Sequence, residues 1–130
     1  MAKRILLVED DGVLRIIAAE VLRDAGFDVV EAWNGDQAIG FIDRLCPLDM
    51  LVTDVRMPGL HDGIAVAIHA RMRQAAIPIL VMSGYAGNGR ARLNALDPVA
   101  AFLSKPFRLD KLVELCGHMA LSSGSKFVMG

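Results

Sequence analysis

Apolar residues gather along this chain in two alternating rhythms. Five short runs, 5–8, 27–30, 50–53, 77–82 and 100–103, are rich in aliphatic side chains, and four of them are unbroken. Unbroken runs of this length suit strands covered on both faces, as in a parallel sheet. Between them the apolar positions recur with helical spacing. Leu14, Ile17, Ala18, Val21, Leu22 and Ala25 form one stripe, Arg15, Arg23 and Asp24 fall on the other side, and Gly26 ends the helix. Asn34 is a cap residue for a helix through Arg44, and Asp62 for another through Arg73. Pro78 marks the start of the fourth strand. A last helix from about Leu109 carries Leu109, Leu112, Val113 and Cys116 on one face, with Gly117 costing about 1 kcal/mol against alanine. The weakest helix candidate is 87–93, where two glycines raise the entropy cost of ordering. Residues 1–121 are read as one domain and 122–130 as a flexible C-terminal tail.

Strand and helix alternating in this way predict an α/β fold: a single-domain, doubly wound, five-stranded parallel sheet with right-handed crossovers. Ligands of such sheets collect at the carboxyl ends of the strands, beside the point where strand order reverses. The first strand delivers Glu9, Asp10 and Asp11 to that edge, the third Asp54, the fourth Ser83, and the fifth runs into Ser104-Lys105-Pro106. With strand order 2-1-3-4-5, the first and third strands are neighbours and Ser83 flanks Asp54 on its other side. Four carboxylates, a hydroxyl and a lysine would then meet. Clustered carboxylates repel unless a cation joins them, and hard oxygen donors select Mg²⁺ or a similar ion, which usually keeps a phosphate oxygen among its ligands.

Composition narrows the field. Of 130 residues 54% are hydrophobic and 22% charged, so there is apolar material for a core and global disorder is excluded. Fourteen basic against fifteen acidic side chains give no field for steering onto nucleic acid. Cys46 and Cys116 are too few for a disulfide framework and lack zinc-site spacing, so buried, reduced thiols are expected. The apolar run after Arg4 meets Glu9 too soon for a signal-peptide core, and no stretch reaches the roughly 20 apolar residues of a membrane span. A cytoplasmic protein is expected.

Five segments together resemble the response-regulator receiver domains of bacterial two-component signalling, the CheY-like family with a flavodoxin-like fold. They are Ile5-Leu6-Leu7-Val8-Glu9-Asp10-Asp11, Asn34-Gly35-Asp36-Gln37-Ala38, 49–59 with Asp54-Val55-Arg56-Met57-Pro58-Gly59, Ser83-Gly84-Tyr85 and Lys105-Pro106-Phe107. The resemblance implies that Asp54 accepts a phosphoryl group from a sensor histidine kinase or phosphotransfer protein. It implies that Glu9, Asp10, Asp54 and the backbone carbonyl of Arg56 hold Mg²⁺. Ser83 would hydrogen-bond the phosphoryl group, Lys105 would pair with it, and Ser83 and Phe102 would form the switch. The fourth helix, fifth strand and fifth helix, about 87–121, would be remodelled to bind a downstream protein.

The expectation is a stand-alone receiver, a switch rather than an enzyme, with no direct contact to nucleic acid or membrane. The sequence names neither kinase nor target and leaves the oligomeric state open. Alternatives are a receiver-like binding module that works without phosphorylation, or a receiver excised from a larger hybrid kinase or regulator. An aspartate-nucleophile phosphatase would want an aspartate where Arg56 stands, and a flavodoxin-like flavin carrier would not place Glu-Asp-Asp against its phosphate. Two features depart from the family's common run. Gly59-Leu60-His61 lengthen the loop before Asp62-Gly63 by one residue, and Glu9 replaces the commoner aspartate.

Several residues also have plainer readings. Asp10 or Asp11 alone can cap the following helix, Ser83 can be a turn residue and Phe102 a core residue. His61, His69 and His118 lack ligand spacing and are read as solvated, and Trp33 as a loop anchor.

Overall fold

The computed structural model describes residues 2–84 and 90–129, with the backbone alone for 90 and for 121–129. In chain order the elements are β1 (Arg4–Val8), α1 (Gly12–Asp24), β2 (Asp28–Ala32), α2 (Gly35–Leu45), β3 (Met50–Asp54), α3 (Gly63–Arg73), β4 (Ile79–Ser83), α4 (Arg90–Asn94), β5 (Ala101–Ser104) and α5 (Leu109–Met129). All strand pairs are parallel, in the order β2-β1-β3-β4-β5. The parallel sheet is the one expected from the alternating pattern, and its order is the 2-1-3-4-5 of the family it resembles.

Side chains alternate across each strand, so the sheet feeds two cores. Leu6, Val8, Leu51, Ile79 and Val81 pack under α2, α3 and α4. Ile5, Leu7, Met50, Val52, Leu80 and Met82 pack under α1 and α5. Burial of β1, β3 and β4 on both faces explains why their sequences read as unbroken apolar runs.

The edge strand β2 begins one residue later than the apolar run and ends two residues beyond it, at Ala32. Its length is set by pairing with β1, Leu7 opposite Glu31 and Val8 opposite Ala32, and an edge position tolerates the charged Glu31. The caps at Asn34 and Asp62 are as expected: Asn34 Oδ1 accepts from the Gln37 amide at 2.7 Å and Asp62 Oδ1 from the Ala65 amide at 2.8 Å. Gly26, at φ +101, closes α1 in the left-handed region that its lack of a Cβ allows.

One reading changes. The buried stripe of α1 is Ala18, Ala19 and Leu22, rotated from the expected one, and Ile17 lies 42% exposed beside Val13 and Ile16. Two overlapping stripes satisfy the helical period here. Hydrophobicity favours the one with the larger side chains, but two alanines let the helix approach β2 closely, and Arg15 beside them finds partners for its charge. At the C-terminus the α5 backbone is helical through Met129. Extending an established helix adds a hydrogen bond for each residue fixed, without a second nucleation cost. Of the weak helix candidate at 87–93, residues 90–93 are helical in α4, and 87–89 lie outside the described residues. Both cysteines are free; Cys116 is buried, which pushes its thiol up to about 12, and Cys46 is half-buried.

Candidate functional site

Parallel pairing in this order brings the carboxyl ends of β1 and β3 side by side. One oxygen from each of Glu9, Asp10 and Asp54 lies within 4.8 Å of the others. Lys105, one residue past β5, reaches in from the other side. Its Nζ stands 2.6 Å from Glu9 Oε1 and 3.4 Å from Asp54 Oδ1. The strand ends thus assemble three acids and a cation drawn from three chain segments.

Glu9 is held at every polar atom. Its amide donates to the Ala32 carbonyl at 3.0 Å, Oε2 accepts from the Asp11 amide at 3.1 Å, and its carbonyl accepts from Arg15 Nη1 at 3.1 Å. Asp54 Oδ1 accepts from the Val55 amide at 2.9 Å, and Thr53 Oγ1 donates to the Asp54 carbonyl at 2.9 Å. Asp10 is exposed, while Glu9 and Asp54 are buried. An open depression of about 450 Å³ beside Asp10 is lined also by Val55, Arg56, Met57, Pro58 and Asp62, so ligands have access from this side.

Burial penalises the ionised carboxylates. The Glu9 carboxyl is raised to about 7, its burial reinforced by the charge of Asp54 and opposed by the Lys105 and Asp11 hydrogen bonds. Asp54 is likewise raised, by burial and then by Asp10, against the pull of Lys105. Burial alone would lower the Lys105 ammonium, but the hydrogen bond to Glu9 and the charge of Asp54 outweigh it and hold it above its ordinary value. One lysine does not offset three carboxylates. The all-oxygen donor set and its excess of negative charge fit a hard divalent cation such as Mg²⁺.

A pH dependence follows. An acid raised in the folded state binds its proton more tightly there than in the unfolded chain, so metal-free stability falls as pH rises from 4.5, the ordinary glutamate value, to about 7, and levels off above. Glu9→Gln is expected to flatten the slope in urea denaturation series, and an undiminished slope would assign the titration to another group.

Of the four carboxylates expected at this edge, three meet. Asp11 turns away and caps α1, its Oδ1 accepting from the amides of Val13 at 3.0 Å and Leu14 at 3.2 Å. Asp11→Ala should therefore cost about 1 kcal/mol of stability and leave Mg²⁺ affinity, measured by calorimetry, unchanged; a weakened affinity would return Asp11 to the site.

Ser83 is buried at the end of β4, in register with Ser104, and its carbonyl accepts from the Lys105 amide at 2.8 Å. Phe102 is half-buried opposite Val81 and packs against the core under α2, α3 and α4. Arg56 lies exposed in the loop after β3. Tyr85, quoted with the Ser83 segment, lies outside the described residues.

The longer loop after β3 is tied to α2. His61 Nδ1 is 2.7 Å from Asp36 Oδ1, and a Cβ on Gly35 would meet the His61 carbonyl oxygen at 2.0 Å. His69 pairs with Asp43 at 2.8 Å, so these two histidines lace α2 to its neighbours while remaining partly in solvent, and His118 is exposed. Gly63 is closer still: a Cβ there would sit 1.7 Å from the Asp54 carbonyl oxygen. Trp33 is 54% exposed, with the Arg15 guanidinium 5.8 Å from its ring centre. The contact of Arg15 with Glu9 was not read from the sequence, where Arg15 stood on the solvent side of its helix.

With this geometry in place, comparison with known proteins decides the family. The profile described as "Response regulator receiver domain" matches residues 5–116. The chain belongs to the response-regulator receiver family. This receiver is 37% identical over 117 residues to the transcriptional regulatory protein FixJ of Bradyrhizobium diazoefficiens, which covers 85% of the chain and 53% of FixJ. It spans about half the length of such curated relatives. A response regulator receiver protein from Sinorhizobium medicae has a similar structure, with 33% identity, a TM-score of 0.83, and 92% and 94% of the two chains covered. The receiver domain of the sensor histidine kinase PA1611 from Pseudomonas aeruginosa, with 28% identity, a TM-score of 0.78, and 92% and 98% coverage, carries a magnesium ion coordinated in its active-site cleft. Among the described residues of the present receiver no helix is long and apolar enough to cross a membrane.

Proposed function

We propose that this receiver accepts a phosphoryl group on Asp54, from a sensor histidine kinase or phosphotransfer protein, and passes the signal to a downstream protein through an altered surface. It acts as a switch and not as an enzyme, whether it works as a separate chain or inside a larger regulator or kinase. The observation that carries the reading is the convergence of Glu9, Asp10 and Asp54 within 4.8 Å, with Lys105 against two of them.

Glu9, Asp10, the Asp54 carboxylate and the Arg56 carbonyl would hold Mg²⁺, which when bound offsets the charge of the phosphoryl oxygens. A carboxylate oxygen of Asp54 attacks phosphorus, the new O–P bond forming as the P–N bond to the donor imidazole breaks and its electron pair returns to that nitrogen. Asp54 needs no general base, only to be ionised. Phosphoryl transfer has a loose transition state with charge on the equatorial oxygens, so the protein's share is positioning and charge neutralisation. Lys105, already beside Asp54, supplies the second positive charge, and the Ser83 hydroxyl donates to a phosphoryl oxygen. The added charge and acceptor oxygens draw Ser83 inward and let Phe102 change its packing, which remodels the α4–β5–α5 surface.

Intact mass after incubation with a small-molecule phosphodonor and Mg²⁺ tests this. A single phosphoryl adduct is expected in the wild type and none in Asp54→Asn or without metal. An adduct that persists in the variant would move the acceptor elsewhere, and none in the wild type would favour a binding module that works without phosphorylation.

A further inference from the structure

Besides Lys105, which meets the carboxylates themselves, Arg15 makes a polar contact with the backbone of the site. Its side chain is only 15% exposed although it lies on a surface helix. Nη1 donates to the Glu9 carbonyl at 3.1 Å, Nε donates to Glu31 Oε1 at 3.3 Å, and the guanidinium lies over Trp33. Glu31 is in turn fixed by Arg23, whose Nη1 donates to Glu31 Oε2 at 3.0 Å and whose Nη2 donates to the Val29 carbonyl at 2.8 Å. The edge strand β2 and helix α1 thus form a brace that ends on the peptide joining Glu9 to Asp10. The planar fork of arginine can serve a carboxylate and a carbonyl at once, which the point charge of lysine cannot reproduce.

That peptide matters because its orientation aims the two acids that it joins. The Glu9 carboxylate has Lys105 as its strongest partner in the metal-free protein, and Lys105 is the group that a phosphoryl oxygen would draw away. Asp10 is exposed, so the backbone must orient it. We infer that Arg15 is a positioning residue for the cation site: it fixes the Glu9–Asp10 peptide so that both carboxylates converge with Asp54. The inference rests on the reading of these acids as a Mg²⁺ site. Outer-shell partners of this kind typically carry about 10–100-fold in metal affinity.

The experiment titrates Mg²⁺ into the unphosphorylated protein, following heat and the emission of Trp33, the chain's one tryptophan. Arg15→Met, with Arg15→Gln as a second variant should the first fold poorly, is expected to weaken Mg²⁺ binding by about tenfold or more. Arg15→Lys should recover only part of the loss. The plateau of Asp54 phosphorylation at saturating Mg²⁺ should match the wild type, with only the Mg²⁺ concentration required shifted upward. Arg23→Met removes the other half of the brace without touching Glu9. It should lower the melting temperature as Arg15→Met does but leave Mg²⁺ affinity in place. Equal Mg²⁺ affinity in wild type and Arg15→Met, or equal losses in the Arg15 and Arg23 variants, would reduce Arg15 to a structural role. A wild type that binds no Mg²⁺ would instead overturn the cation site, and this inference with it.

Discussion

Lys105→Met is expected to destabilise the metal-free receiver by about 3–5 kcal/mol above about pH 7, the range found when one partner of a buried ion pair is removed. The side chains of Glu9 and Asp54 are 1% and 9% exposed, and Lys105 is the cation that contacts both. Without it two acids remain out of water, facing each other. The sign of the pH effect follows from their raised titrations. Both take up protons as pH falls, and without the lysine that lowers them they do so at higher pH than in the wild type, so the variant regains stability in acid and its deficit grows as pH rises. Mg²⁺ should rescue it at neutral pH and bind more tightly than to the wild type, because no ammonium then competes for Glu9. Phosphoryl uptake by Asp54 should nevertheless fall steeply even at saturating Mg²⁺, since one of the two positive charges facing the transferred group is gone. Urea denaturation at about pH 5 and pH 8, with and without Mg²⁺, reads the first effect and intact mass the second. A variant as stable as the wild type at the higher pH would show that the carboxylates had found water or another partner.

Among the described glycines, Gly63→Ala should be the most damaging change to alanine, with a loss of more than about 3 kcal/mol and a disordered loop after Asp54. The added Cβ would lie 1.7 Å from the Asp54 carbonyl oxygen, 2.7 Å from its carbonyl carbon and 2.9 Å from the Val55 Cα. All three are backbone atoms, which cannot swing aside like the tip of a long side chain. The Gly63 amide also donates to the Val55 carbonyl at 2.8 Å, so the start of α3 is clamped to the end of the strand that carries Asp54. Relief requires moving either α3 or Asp54. The melting temperature and the extent of phosphorylation should both drop, whereas Gly117→Ala, with nothing within 4 Å of the new methyl, should raise the melting temperature and leave phosphorylation intact. A Gly63→Ala protein with native stability would mean that α3 can slide off the strand end.

The acids and the lysine were legible in the sequence because a parallel sheet leaves little choice about where its loops go. Once the apolar runs are read as strands, the residue after each run lies at one edge, which gives Glu9, Asp10, Asp54, Ser83 and Lys105 without side-chain information. The orientation of α1 was not legible, since two stripes fit its period and only packing against β2 and α5 selects Ala18, Ala19 and Leu22. Arg15 was hidden by the same ambiguity: on the wrong face it is one more solvated arginine. Asp11 reads equally well as a ligand and as a cap until the amides of Val13 and Leu14 are seen to point at it. The end of α5 was not legible because glycine and serine lower propensity locally, while a helix already under way needs little encouragement.

The lysine rides on the outermost strand. β5 pairs only with β4, and of its residues 101–104 only Leu103 is buried, so among the strands it has the least apolar anchorage against fraying. The carboxylates, by contrast, sit at the tips of β1 and β3, whose both sides are paired. If this margin peels away, the positive charge leaves the acids while the rest of the sheet stays folded. On the proposed function, competence to be phosphorylated would be linked to the local opening equilibrium of one short ribbon at the rim, and a ligand that grips that ribbon would gain leverage over the chemistry without touching it.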